Sequence, residues 1–132
     1  MAFDIVRIDL LSLAGERAPL DVPGSPVTKD ITISVAVTES AVQQFGDGGL
    51  AVQSTFIAEI EGRGKISATV ASQITVEDEQ LVLEHWENDR SLPSPVKERL
   101  DDGIYFYLLP VITTISEKLS LPPPVLPLFG SD

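Results

Sequence analysis

The stretch GIYFYLLPVITTISEKLSLPPPVLPLF, residues 103–129, decides the fold of this chain. Its first part repeats apolar side chains at helical spacing, which predicts a main helix over residues 104–119. The positions of this stripe are Ile104, Leu108, Val111, Ile112, Ile115 and Leu119. Pro110 interrupts the pattern, and an interior proline costs about 3 kcal/mol or more, so the helix is expected either to kink or to begin near Leu109. The prolines that follow predict an extended tail over residues 121–129.

Four segments ahead of this helix have strand patterns. The clearest alternation of apolar and small polar side chains runs over residues 31–39, and similar patterns cover residues 3–13, 50–61 and 65–76. Glycine clusters at residues 46–49 and 62–64 predict tight turns between the later strands, because glycine accepts a positive φ. Connections this short join antiparallel strands, so we predict an antiparallel sheet.

The segment between sheet and helix is ambiguous, because residues 77–90 combine a strand-like alternation with a helical face. Ser94-Pro95 suits a helix start, and a short helix from there is expected to stop near Asp102-Gly103. The order of elements predicts one α+β domain over residues 1–132. It consists of a four-stranded antiparallel sheet, one long C-terminal helix packed on one face, and an extended proline-rich tail.

The first strand is apolar on both faces. Strict alternation places Phe3, Ile5, Leu11 and Leu13 on one face and Val6, Ile8 and Leu10 on the other. A strand of this kind has both faces covered. Because the chain has little left to cover the second face, Val6, Ile8 and Leu10 are predicted to form an oligomer interface.

Composition excludes several classes of function. The net charge of −11, from 9 basic and 20 acidic residues, disfavours binding to nucleic acid and to anionic membranes. The acidic residues serve either solubility or the binding of a basic partner. No stretch reaches the roughly 20 apolar residues of a membrane span, and charged residues interrupt the apolar start where a signal peptide would need an unbroken run. Cysteine is absent, which suits a reducing compartment. We expect a cytoplasmic protein without membrane insertion.

An enzyme is not predicted. His85 is the only histidine and there is no cysteine, so ordinary zinc sites are excluded. Asp101 and Asp102 suit a helix terminus better than a catalytic pair, and residues 77–79 lack the alternating oxygen ligands of a calcium loop. We therefore predict no catalytic residue, no metal site and no cofactor.

Apolar side chains outside the helical stripe are too many for a small domain to leave in water. Burying one is worth about 1.5–3 kcal/mol, so six left exposed forgo about 10 kcal/mol, as much as a typical domain's whole stability. The tail of the chain, another subunit or a bound client must cover them. The side chains concerned are Tyr105, Phe106, Leu109, Leu121, Val125, Leu126, Leu128 and Phe129.

The layout resembles the SecB-type export chaperones over nearly the whole chain. Phe3-Asp-Ile-Val-Arg-Ile8 is similar to the family's opening strand, and Thr28-Lys-Asp-Ile-Thr-Ile33 is similar to its second strand entry. Leu109-Pro110-Val111 is similar to the position that opens the family's helix, and residues 121–127 resemble its proline- and leucine-rich tail.

This resemblance implies an ATP-independent chaperone that binds unfolded or nascent polypeptides in an apolar groove between sheet and helix. It implies a homotetramer built as a dimer of dimers. Glu16 matches an acidic residue that docks family members on a SecA-type translocation motor, whereas Ser12 departs from that pattern, so an antitoxin partner is equally expected. By resemblance, the client-binding residues are Phe56, Ile60, Tyr105, Phe106, Leu109, Leu121, Val125 and Leu126.

Two other interpretations stay open. An obligate oligomeric scaffold or interaction domain would use the same apolar surface for permanent subunit contacts and would bind no client. A β-fold that binds a small ligand would instead show saturable binding of one class of compound.

Overall fold

The computed structural model describes residues 3–17, 33–46 and 48–121. Its elements are β1 (Phe3–Arg17), β2 (Ile33–Gln44), β3 (Gly49–Ile60), β4 (Gly64–Val76), α1 (Glu79–Asp89) and α2 (Ser94–Lys118). The predicted α+β class, with four antiparallel strands and a long C-terminal helix, is confirmed. The predicted tail beyond residue 121 lies outside the described residues.

The four strands form one antiparallel sheet in the order β1-β4-β3-β2. Tight turns join β2, β3 and β4 into a meander, and β1 adds to the far side of β4. The predicted glycine turns are confirmed, since Gly46, Gly48 and Gly62 adopt φ values of 66°, 76° and 72°. Among the described strands, β1 and β2 therefore form the two edges.

The core lies between one face of the sheet and α2. Strict alternation on β3 and β4 turns every second side chain inward, and an apolar stripe of α2 packs onto these side chains. The largest fully buried side chains are Leu50, Phe56, Ile60, Ile66, Ile74, Leu100, Ile104, Leu108 and Ile112.

The predicted division of β1 into two faces is wrong. The register shifts between Ile5 and Arg7 and again between Leu10 and Ser12, so each site holds one extra residue. A shift by one residue exchanges the faces of all later side chains. Strict alternation fails for this reason.

The two bulges turn most of the β1 hydrophobes toward α2. Ile8 pairs with Ser72 and Leu10 with Val70, and both partners are buried on the helix side. Directly opposed residues share a face, so Ile8 and Leu10 lie on the inner face with Phe3. Val6 is an extra residue of the first bulge and is 61% exposed.

Helix α2 is continuous from Ser94 to Lys118, so the predicted stop at Asp102-Gly103 and the predicted start of the main helix at residue 104 are wrong. The alternative start near Leu109 is wrong for the same reason. Gly103 serves packing, because a Cβ there would collide with Ile5 Cδ1. Pro110 is exposed, and water can bond the carbonyl that the proline leaves without an intrahelical partner. The predicted helix start at Ser94-Pro95 is confirmed, but Pro93 is the capping residue, so Pro95 is the second helical residue and not the first.

The ambiguous segment forms α1. The Leu81 N–H donates to Asp78 Oδ1 at 3.2 Å, which caps the first turn. Val82 and Trp86 are the buried side chains, and Arg90 ends the helix in a left-handed conformation with φ 54°. In the described part of the chain, no helix is long and apolar enough to cross a membrane.

Candidate functional site

Helix α2 carries a ridge of side chains that are exposed in the described structure. Phe106 is 57% exposed and Tyr107 is 39% exposed, and the neighbouring Pro110 is also exposed. These residues lie opposite the buried stripe because successive helical residues are about 100° apart. Phe106, Tyr107 and Pro110 are called the α2 ridge below.

An aromatic series links the α2 ridge to the core. The Phe106 ring lies 6.4 Å from that of Tyr105, which in turn lies 6.4 Å from Phe56. Phe56 and Tyr105 are buried, whereas Phe106 is exposed. Ring separations of this size are typical of favourable aromatic pairs, so the exposed ring is backed by fixed neighbours.

An open hollow of about 500 Å³ lies between α2 and the end of β1. Its walls are mostly apolar, with one cation at the C-terminal end of the helix. The lining residues are Leu13, Pro110, Val111, Thr114, Ile115 and Lys118. We call it the α2–β1 hollow. Pro110 belongs to both the ridge and the hollow, so the two form one surface.

Exposed hydrophobes continue along the β1 edge. Val6, Leu10, Leu11 and Leu13 are 61%, 36%, 55% and 37% exposed. Among the described strands β1 has a neighbour on one side only, so its other side offers main-chain groups for pairing. The pairing with β4 is regular from Ser12 to Arg17, beside the α2–β1 hollow.

The β2 edge differs from the β1 edge in being obstructed. Lys97 Nζ donates to the Val37 carbonyl at 3.1 Å, so one acceptor of this strand is already used. A bulge between Glu39 and Ala41 further interrupts the strand. Charged side chains and bulges are common protections against edge pairing. Strand β1 carries two bulges of its own, so the part of it most open to pairing is the regular stretch from Ser12 to Arg17.

The structure divides the predicted client-binding residues into three groups. Phe56, Ile60, Tyr105 and Leu121 are buried, with 5% exposure or less. Leu109 is half-buried and Phe106 is exposed. Val125 and Leu126 lie outside the described residues. Of the predicted set, only Phe106 and Leu109 therefore offer appreciable surface in the described structure, and client binding by any of the eight stays a prediction.

The predicted interface and docking residues lie on or near β1. Val6 and Leu10 are exposed at the edge, whereas Ile8 is half-buried against the core. Glu16 is exposed and lies opposite Lys65 on the outer face of the sheet. Their roles in assembly and docking stay predictions.

Sequence reasoning missed the hollow. The sequence pattern places Leu13 on a covered face of the first strand and Val111 in the helical stripe, yet both retain exposed surface and line the hollow. Apolar spacing alone cannot reveal the hollow, because the helical stripe is broader than the strip that contacts the sheet. The bulges in β1 also hide which of its side chains face α2.

The single histidine, His85 on α1, has structural contacts. His85 Nδ1 lies 2.9 Å from the Ser91 carbonyl oxygen, and its Nε2 lies 3.6 Å from Asp89 Oδ2. In residues 3–17, 33–46 and 48–121, no group of three or more histidine, cysteine or acidic side chains could hold a metal ion.

Comparison with known proteins identifies the fold. No protein-family model matches the chain, and no curated protein sequence matches it. A similar solved structure is the Mycobacterium tuberculosis SecB-like chaperone Rv1957 in complex with a ChAD peptide from the Rv1956 HigA1 antitoxin. It has a TM-score of 0.63 at 14% identity, over 96% of this chain and 90% of that chain.

A second solved structure is a protein of unknown function from Streptococcus agalactiae. Its TM-score is 0.49 at 9% identity, over 97% of this chain and 100% of that chain. The likeness to the mycobacterial structure establishes that this chain has a SecB-like fold.

Proposed function

We propose that this protein is an ATP-independent chaperone that binds unfolded or nascent polypeptides on the surface formed by the α2 ridge and the α2–β1 hollow. The exposed aromatic pair Phe106 and Tyr107 is the observation that carries the proposal. The SecB-like fold supports it, because a solved protein with this fold holds an antitoxin peptide.

Burial of apolar surface supplies the binding energy in this proposal. Each large side chain that a client covers contributes about 1.5–3 kcal/mol, and the effect has no directional requirement. A surface of this kind accepts many sequences, as long as they are apolar and unfolded. The shape of the hollow allows an apolar side chain of the client to enter beside Val111 and Ile115.

Main-chain pairing would add to this burial. A client in extended conformation can align with Ser12 to Arg17, the regular part of the open β1 edge. Alternate side chains of an extended strand point to the same face, so one of them would reach the hollow above Leu13. This geometry requires extended clients and disfavours folded ones.

Among the client-binding residues predicted from the sequence, Phe106 and Leu109 are assigned to first contact beside the hollow, because they retain exposed surface and need no rearrangement. The predicted groove floor at Phe56 is covered by Tyr105, so a client could reach it only if α2 moved away from the sheet. Phe56, Ile60, Tyr105 and Leu121 are therefore secondary contacts in this proposal. Val125 and Leu126 are kept as contacts on the resemblance alone.

The proposal extends to assembly and partners. A homotetramer, built as a dimer of dimers, would cover the β1 edge at Val6 and Leu10. An antitoxin, a nascent chain or a translocation motor that docks at Glu16 are the proposed partner classes. The proposed location is the cytoplasm.

Suppression of aggregation by matched variants tests the proposal. A denatured reporter protein is diluted into stoichiometric amounts of the chain, and light scattering is followed. We expect the parent to prevent aggregation and Phe106→Glu with Tyr107→Glu to lose most of the protection. Phe45→Glu with Leu81→Glu adds the same charge at two exposed hydrophobes elsewhere and should keep it. Equal protection by both double variants, or none by the parent, would reject the proposed site.

An obligate oligomeric scaffold is the second candidate function. The exposure of Val6 and Leu11 on an open edge favours it, because permanent subunit contacts would cover them. A parent that forms a stable oligomer, gives no protection and binds no hydrophobic dye would favour the scaffold over the chaperone.

A further inference from the structure

Two carboxylates share one ammonium group where α2 meets β2. Lys97 Nζ lies 2.9 Å from Glu39 Oε1 and 2.9 Å from Asp101 Oδ2. Glu39 and Asp101 are buried, at 8% and 5% exposure. With both carboxylates ionised, the cluster therefore holds one surplus negative charge between helix and sheet.

The second oxygen of each carboxylate is left without a hydrogen-bond donor among the described residues. Glu39 Oε2 and Asp101 Oδ1 are buried and have no hydrogen-bond partner among the described residues. An unsatisfied buried acceptor is costly, and more so when it is charged. One added proton would cancel the surplus charge and provide the missing donor. The geometry alone thus favours proton uptake.

The carboxyl group of Asp101 is the one that takes the proton. Burial raises its pKa to about 7; the hydrogen bond from Lys97 opposes this rise, and the neighbouring Glu39 adds to it. Burial lowers the pKa of Lys97, but its hydrogen bonds to Asp101 and Glu39 raise it more, so the net direction is upward. Lys97 therefore stays an ammonium group while Asp101 titrates.

Two charged neighbours act on the Asp101 carboxyl group. The charges that act on Asp101 come from Lys97 on α2 and Glu39 on β2. Strand β3 places Ser54 opposite Glu39, and β4 continues that row with Val70. On α1, which also packs on β2, the Glu79 carboxylate accepts a hydrogen bond from Gln44.

We propose that Glu39, Lys97 and Asp101 form a proton-operated clasp that holds the first half of α2 to the edge strand β2. When the clasp is protonated, a proton from solvent is bound to an Asp101 carboxyl oxygen. The resulting O–H group donates a hydrogen bond to the Glu39 carboxylate, while Lys97 keeps its bonds to β2. The Val37 carbonyl, which Lys97 also binds, adds a main-chain attachment to the same clasp. This clasp is separate from the proposed chaperone surface and does not depend on client binding.

The direction of the pH effect follows from the raised pKa. The folded chain binds the Asp101 proton more tightly than the unfolded chain does, because the pKa of Asp101 in an unfolded chain is near 3.8. The resulting stability is fully present below that value and is lost as the pH rises through about 7. The unfolding equilibrium constant should therefore rise by on the order of 10²–10³-fold between acidic and neutral pH through this group alone.

Carboxyl NMR on the unmodified chain is the first test. The Asp101 side-chain carbon is followed from pH 4 to pH 9, and a midpoint near 7 is expected. Amide hydrogen exchange in the first half of α2, corrected for the intrinsic effect of pH, should slow as Asp101 takes up its proton. A midpoint at the ordinary value for aspartate, or exchange that does not follow the titration, overturns the clasp.

Matched variants provide the second test. Asp101→Asn keeps an acceptor for Lys97 and removes the acid, so its unfolding constant should lack the pH-dependent part described above. Glu98→Gln changes an exposed carboxylate on the same helix and should follow the parent. An Asp101→Asn chain with the parent's pH profile overturns the proposal. If that variant does not fold, the titration of the unmodified chain decides.

Discussion

Gly15 on β1 lies directly beneath Ile115 on α2, where a Cβ atom at residue 15 would stand 2.7 Å from Ile115 Cδ1. The same Cβ would lie 2.7 Å from Leu119 Cδ1. Gly15 pairs with the buried Ile66, which places it on the helix side of the sheet. A side chain at residue 15 would therefore require the terminal methyl groups of Ile115 and Leu119 to move aside.

Gly15→Ala is expected to destabilise the fold by about 1–3 kcal/mol, because the added methyl group overpacks this contact. Urea unfolding measures the loss. Ile115→Val in the same chain shortens the opposing side chain and should restore part of the stability. Ser12→Thr adds a methyl group on the outer face of β1 and should be nearly neutral. Equal stability of Gly15→Ala and the parent would show that α2 adjusts without cost.

Arg17 holds the end of α2 by two hydrogen bonds. Its Nη1 donates to the Leu119 carbonyl at 2.8 Å and to the Ser120 carbonyl at 2.7 Å. Arg17→Met keeps the apolar stem but loses both bonds, and we expect a loss of about 1–2 kcal/mol. Amide exchange at residues 119–121 should accelerate more than exchange elsewhere.

Arg7→Met is the matched control for that prediction. The Arg7–Asp9 ion pair is largely exposed, with side-chain exposures of 64% and 45%, so its loss should cost less than about 0.5 kcal/mol. An equal effect of both variants would mean that Arg17 acts through general charge and not through the helix end.

Strands with strict alternation could be predicted closely from sequence. The patterns over residues 50–61 and 65–76 gave β3 and β4 to within one residue at each end. The glycine clusters correctly predicted the turns before and after β3, where Gly46 and Gly62 adopt a positive φ. Local pattern and tertiary packing agree in this hairpin, so the sequence sufficed.

Features set by tertiary contact could not be predicted. The extra residues in β1 leave no compositional mark, and they reverse the faces of Ile8 and Leu10. Glycine commonly ends a helix, but Gly103 lies inside α2, where the missing side chain leaves room for Ile5. In both cases the deciding neighbour is distant in the sequence.

The candidate site shows the same division. Tyr105 and Phe106 are adjacent aromatic residues, yet one is buried at 2% exposure and the other is 57% exposed. Successive residues of a helix point about 100° apart, and only the position of the sheet decides which of the two is covered. The apolar surplus was therefore predictable from sequence, but its distribution over the surface was not.

Phe56 distinguishes a core role from a client-binding role. It is fully buried against Tyr105, so Phe56→Ala should cost about 3–5 kcal/mol in urea unfolding. Ile57→Ala, on the exposed outer face of the same strand, should cost far less. Client protection should fall only where the Phe56→Ala chain begins to unfold. A loss of protection by a fully folded Phe56→Ala chain would instead favour the predicted groove floor.

The open edge of β1 predicts the behaviour of the assembly. Val6 and Leu11 are the most exposed hydrophobes on this strand, and a lysine at each should block pairing with a second chain by charge and desolvation. We expect Val6→Lys with Leu11→Lys to lower the mass measured by light scattering while circular dichroism stays unchanged. Phe45→Lys with Leu81→Lys adds the same charge away from the edge and should keep the mass of the parent. If the β1 variant retains the mass of the parent, subunits associate through another surface. The exposed hydrophobes of the β1 edge then remain available to clients.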